Sequence, residues 1–135
     1  LTPSSDIFLE LNERTDIANE SDYDAFISIH ANASISPAAN GTETYFDIDY
    51  NFNGPKSVEM AKTVQQALYR EIGTNNRGIK EQNLYVNRNN ALPSILVELG
   101  FLTNPAEESL LRQDENRQKA AIGIRKGLEN YFNQF

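Results

Sequence analysis

Phe26-Ile27-Ser28-Ile29 is a run dense in β-formers, and it ends on His30, the only histidine among 135 residues. Successive strand side chains alternate between faces. Phe26, Ser28, His30 and Asn32 therefore share one face, and Ile27, Ile29 and Ala31 share the other. A strand covered on both sides is apolar throughout, so a polar residue at its carboxyl end is unusual. In open α/β sheets, ligands collect just beyond the carboxyl ends of strands. His30 stands where such a site would be.

A second stretch has the same character. Ser94–Phe101 reads SILVELGF. Ile95, Val97 and Leu99 face one way; Leu96, Glu98 and Gly100 face the other. Glu98 is an acid inside an apolar strand. A lone carboxylate is costly to bury unless it is paired, hydrogen-bonded or bound to a metal. That anomaly makes it a candidate site residue.

Between these stretches lies helix. Asn53-Gly54-Pro55 opens one, with proline near the first turn, where a missing N–H costs nothing. Val58, Ala61, Val64, Leu68 and Ile72 repeat at helical spacing, and Gly73 follows as a stop. Asn104-Pro105 starts a short helix over Pro105–Arg112, with Glu107 at the capping-box position. Asp114 caps a last helix whose Ala121, Ile124, Leu128 and Tyr131 share one face. An early helix is expected over Leu11–Asn19. Thr42–Tyr50 reads as a strand near a sheet edge, Thr74–Asn83 as a polar segment and Leu84–Val86 as a short strand. Strands alternating with helices give the α/β class. Strands joined across the Val58–Ile72 helix are expected to be parallel. The short link after His30 permits an antiparallel neighbour.

Composition narrows the partners. The formal net charge is −7, which argues against a nucleic-acid surface. There is no cysteine, so neither a disulfide nor a Cys-ligated zinc is possible. No apolar run approaches the ~18 residues of a membrane span. No G-x-G-x-x-G or P-loop occurs, which counts against a nucleotide-binding domain. One domain's worth of chain is present.

SIHANA and VELGFLTNP, with GTETYF at Gly41–Phe46 and RGIKEQNLYV at Arg77–Val86, carry a resemblance that runs nearly end to end. The chain resembles the zinc-dependent N-acetylmuramoyl-L-alanine amidases of the amidase 3 family, which hydrolyse peptidoglycan. The resemblance implies a mostly parallel, twisted sheet with helices on both faces, in a single domain. It implies zinc as cofactor and peptidoglycan (glycan strand and stem peptide) as the partner of a monomer acting outside the cell or in the cell wall. It makes His30 a zinc ligand and Glu98 the catalytic glutamate. The family draws a further histidine and a carboxylate from an opening strand and helix. Neither motif occurs here, so residues 1–135 are expected to form the C-terminal part of a catalytic domain, inactive if those ligands are missing. The alternative is a non-catalytic domain of the same fold that binds wall or a partner protein.

Each candidate also has a plainer reading. His30 is otherwise a hydrogen-bonded histidine at a strand end. Glu98 is otherwise paired with Arg77, Lys80 or Arg88. Asn32 either holds a substrate carbonyl or braces its turn. Arg77 either binds a stem-peptide carboxylate or is a solvent-facing loop charge. Glu43 is explained as an outward-facing strand residue. Tyr45, Phe46, Tyr50 and Phe52 form either a glycan platform or ordinary core and edge packing.

Overall fold

The apolar stripe from Val58 to Ile72 lies on helix α1, Gly54–Ile72, as the periodicity predicts. Gly73 ends it with φ at 81°, a left-handed conformation that glycine adopts without cost. Its N–H and that of Thr74 both bond the Tyr69 carbonyl. The computed structural model describes residues 25–47, 54–82 and 93–134. The helix expected over Leu11–Asn19 and the strand expected over Leu84–Val86 lie outside them.

Four strands make one open sheet: β1 Phe26–Asn32, β2 Thr42–Phe46, β3 Asn76–Glu81 and β4 Ser94–Phe101. Their spatial order is β1-β4-β2-β3. β1 runs parallel to β4 and β2 parallel to β3, while β4 and β2 are antiparallel. The class is α/β, and two of the three pairings are parallel. The pair flanking α1, β2 and β3, is parallel as expected.

Three expectations need correction. β2 is an interior strand and not near an edge, because its neighbours are β4 and β3. β1 and β2 are not adjacent; β4, apolar on its inner face, takes the place between them. The chain after β1 runs past the end of β4 instead, with Leu102 N–H bonding Asn32 O at 2.8 Å and Ser34 N–H bonding Thr103 Oγ1 at 3.1 Å. β3 falls within a segment read only as polar. Ile79 is its one apolar side chain, so the β2 backbone and not its own composition makes it a strand.

The core lies between the sheet and α1. Ile27, Ile29, Ile95, Val97 and Leu99 meet Met60, Val64 and Leu68 there, all buried. Helix α3, Asp114–Gln134, packs against α1. Its buried residues are Ala120, Gly123, Ile124, Gly127 and Tyr131; Ala121 and Leu128 are only half-buried. The predicted face is thus rotated toward the small residues. A Cβ on Gly127 would meet Val64 Cα at 2.4 Å, so the two backbones come close to touching.

Between β4 and α3 sits α2, Pro105–Arg112. Asn104 Oδ1 caps it by accepting from Ala106 and Glu107 N–H at 3.0 and 3.1 Å. Glu107 does not close the expected capping box. Its buried carboxylate accepts instead from Gly41 N–H at 3.0 and 2.9 Å and from Phe101 N–H at 2.8 Å. Two backbone donors at the sheet end have no strand partner, and a carboxylate that satisfies both outweighs a local cap. Glu107 thereby fastens the start of β2 to the end of β4.

Candidate active site

Alternation along each strand puts His30, Glu98, Glu43, Tyr45 and Lys80 on the sheet face opposite α1. Register then sets three of them in one row. His30 stands beside Glu98 across β1 and β4, and Glu98 stands beside Glu43 across β4 and β2. The row continues onto β3 through an irregularity. Thr42 pairs with Asn76 and Thr44 with Ile79, so Glu43 alone faces both Arg77 and Gly78. This two-against-one arrangement is a β-bulge, and Gly78 takes φ of 79° in it. Asn76 Oδ1 holds the bulge by accepting from Gly78 N–H at 2.9 Å. A second bulge lies at the other end of the row, where His30 pairs with Glu98 but Asn32 with Phe101.

Both bulges change which way side chains point. Arg77 and Lys80 are three residues apart and would occupy opposite faces of a regular strand. Across the bulge both reach Glu43 Oε2, Arg77 Nε at 3.1 Å and Lys80 Nζ in close contact. The second bulge frees Phe101 from the core cluster and lays its ring under the Arg77 guanidinium, 4.8 Å from Cζ to centroid.

Glu43 is 2% exposed and saturated. Oε1 accepts from Asn32 Nδ2 at 2.9 Å and from the Tyr45 hydroxyl at 2.5 Å, while Oε2 takes Arg77 and Lys80. Burial alone would raise its pKa, but hydrogen bonds from Lys80, Tyr45 and Arg77 outweigh burial and hold it below the ordinary carboxylate value. Burial and the Glu43 carboxylate push the Tyr45 hydroxyl well up, so it stays a donor. The outward-facing reading of Glu43 is therefore wrong. A buried anion surrounded by donors explains an acid in this strand.

Glu98 is the opposite case. The sequence offered Arg77, Lys80 or Arg88 as partners; Arg77 and Lys80 are taken by Glu43, and Arg88 lies outside the described residues. Its Oε2 is buried and has no hydrogen-bond partner among the described residues. Burial, and then the charge of Glu43, push its pKa up to about 7. Neighbouring carboxylates whose environments drive their pKa values apart mark an acid–base assignment. Glu43 is a fixed anion; Glu98 exchanges a proton near neutrality.

Burial lowers the pKa of His30, so its imidazole is neutral at pH 7, the form that binds metal. That donor chemistry fits one position of a zinc site. Among the described residues no three His, Cys, Asp or Glu side chains are grouped to hold a metal, so these residues do not complete such a site.

Of the predicted residues, His30 and Glu98 stand side by side, and Asn32 and Arg77 join them through Glu43. Arg77 is exposed, as its plainer reading has it, but it is not in a loop. It lies in β3 and also donates to Asn40 O at 3.3 Å. Sequence reasoning missed Glu43 and Lys80 as members of the cluster. The criterion that singled out Glu98, an acid within a run of β-formers, applied equally to Glu43 in TETYF.

The chain is similar to known proteins over nearly its whole length. The family description N-acetylmuramoyl-L-alanine amidase, amidase 3, matches residues 1–130. The chain is 39% identical over 132 residues to the N-acetylmuramoyl-L-alanine amidase LytC of Bacillus subtilis, covering 98% of this chain and 26% of that protein. It is 41% identical over 131 residues to the uncharacterized protein YqiI of the same organism, covering 97% of this chain and 62% of that one. Among solved structures, an N-acetylmuramoyl-L-alanine amidase from Clostridium difficile superposes with a TM-score of 0.77 at 36% identity, over 91% of this chain and 65% of that one. The chain thus spans less than two thirds of these relatives' lengths. With a match that takes in both strands of the His30–Glu98 row, the chain belongs to the amidase 3 family of N-acetylmuramoyl-L-alanine amidases.

Proposed function

We propose that this chain works in hydrolysis of the amide between the lactyl group of N-acetylmuramic acid and the L-alanine of the stem peptide, in bacterial peptidoglycan. The observation that carries the reading is the Glu98 carboxylate beside His30, with one buried oxygen that has no partner among the described residues. In the reaction, water adds to the carbonyl carbon, the C–N bond breaks and one proton of the water ends on the amine. Glu98 takes that proton and returns it to the leaving nitrogen; a carboxyl group with pKa about 7 suits both transfers. His30 would be one ligand of a zinc ion, which when bound supplies an activated water and polarises the carbonyl. Asn32 and Arg77 are read as substrate contacts, both oriented by Glu43.

On this reading the chain is the C-terminal part of a catalytic domain, acting as a monomer at the cell wall or outside the cell. No helix among the described residues is long and apolar enough to cross a membrane. The test is digestion of purified wall by the full-length protein, with product analysis. New L-alanine amino termini are expected, without new reducing sugar ends. Binding to wall without new amino termini would favour the non-catalytic alternative.

A further inference from the structure

Two cations converge on one anion in the site row, in a chain whose formal net charge is −7. The two are not equivalent. The Arg77 guanidinium is held three ways: by Glu43, by the Asn40 carbonyl and by the Phe101 ring. Lys80 has Glu43 as its one ion-pair partner among the described residues, and its side chain is 43% exposed. An ammonium group carries three donors, so capacity remains. Glu43 also accepts from Arg77, Tyr45 and Asn32, so each of its oxygens has a donor besides Lys80. The cluster therefore keeps a surplus positive charge at the β3 end of the row.

The substrate has charge to meet it. On the glycan side of the scissile amide the sugar is uncharged; on the peptide side the stem carries carboxylates. We propose that Lys80, seated by Glu43, is a specificity-determining residue that binds a stem-peptide carboxylate on the leaving-amine side of the bond. This rests on the amidase reading above. Spacing supports it. The Lys80 ammonium sits on Glu43, which is directly opposite Glu98, so it lies one to two strand spacings away, about 5–10 Å at ~4.8 Å per strand, and an extended peptide reaches it about two to three residues past the bond. Lys80 orients the peptide that departs, while His30 and Glu98 lie toward the other end of the row.

The experiment uses the full-length protein and three soluble muramoyl peptides: one ending at L-alanine amide, one extended by a residue with a free side carboxylate, and that same peptide with the carboxylate amidated. Wild type is expected to prefer the free carboxylate by roughly fivefold to thirtyfold in kcat/KM, the span between an exposed ion pair and a charged hydrogen bond. The preference should lie mainly in KM and shrink with added salt. Lys80→Gln should erase that preference, whatever its change in overall rate on the L-alanine amide, and Lys80→Arg should restore most of it. Melting temperatures of the variants establish that they fold. If Lys80→Gln keeps the preference, or loses activity equally on all three peptides, the proposal is overturned and the amidase reading stands. If wild type cleaves none of the three, the amidase reading fails and this inference goes with it.

Discussion

Glu98 and Glu43 sit directly opposite each other across the antiparallel β4–β2 pair, and only Glu43 is satisfied. Like charges directly opposite in a sheet repel. Here the repulsion is relieved from one side, since four donors fix the charge on Glu43 and leave Glu98 to carry the proton.

Glu98→Gln tests that assignment. The amide keeps the shape and cannot accept the proton, so hydrolysis of wall by the full-length protein should fall ~10²–10⁴-fold. Zinc content should stay at the wild-type level, whereas His30→Ala should lose zinc and activity together. Wild-type hydrolysis by Glu98→Gln would make Glu98 structural. Loss of zinc in that variant would make it a ligand.

The same pair predicts a pH effect on stability in metal-free protein. Folding raises the Glu98 pKa from 4.5 to about 7, so the folded state binds the extra proton between those values. Its contribution to stability is full below 4.5 and is lost as pH rises through about 7. The lowered pKa of His30 works in the other direction below 6.5. The informative quantity is therefore wild type minus Glu98→Gln, from urea melts at pH 4.5 to 8. Wild type should lose stability relative to the variant across that window, and a flat difference would contradict the burial described for Glu98.

Glu107→Ala should destabilise the fold by about 2–4 kcal/mol, because it orphans the buried N–H groups of Gly41 and Phe101. Glu107→Gln keeps one acceptor and should cost less. Loss equal to that of a surface substitution, measured by denaturant titration, would show that water replaces the clamp.

Gly127→Ala should cost about 2–3 kcal/mol, since the added methyl group meets Val64 Cα and the Thr63 carbonyl in the backbone of α1. Gly123→Ala, whose nearest backbone contact is Leu68 Cα at 2.9 Å, should cost less. Equal, small effects in thermal melts would mean that α3 shifts to make room.

What was legible in the sequence was whatever local periodicity controls. The α1 stripe, the Asn104 cap and the alternation that pairs His30 with the site face each depend on residues a few positions apart. β3 was not legible because NRGIKE carries no pattern of its own and becomes a strand by pairing with β2. Glu43 was misread for a related reason. Its polarity looked like exposure, and its partners Asn32, Arg77 and Lys80 arrive from β1 and β3, 11 to 37 residues away. The α3 face was misjudged because glycine has no side chain to register as apolar, yet Gly123 and Gly127 are what let two helices approach.

The bulge at Gly78 turns the spacing between Arg77 and Lys80 into a matter of odd and even. A regular strand shows its neighbour every second residue, so an odd interval separates two side chains to opposite sides of the sheet. The extra residue converts that odd interval into a shared side. A chain shorter by one residue at this point would keep both cations in its composition and strand the guanidinium or the ammonium against the packed side of α1. The parity of a single loop-like insertion, and not the inventory of charges, decides whether the row ends in two cations or one.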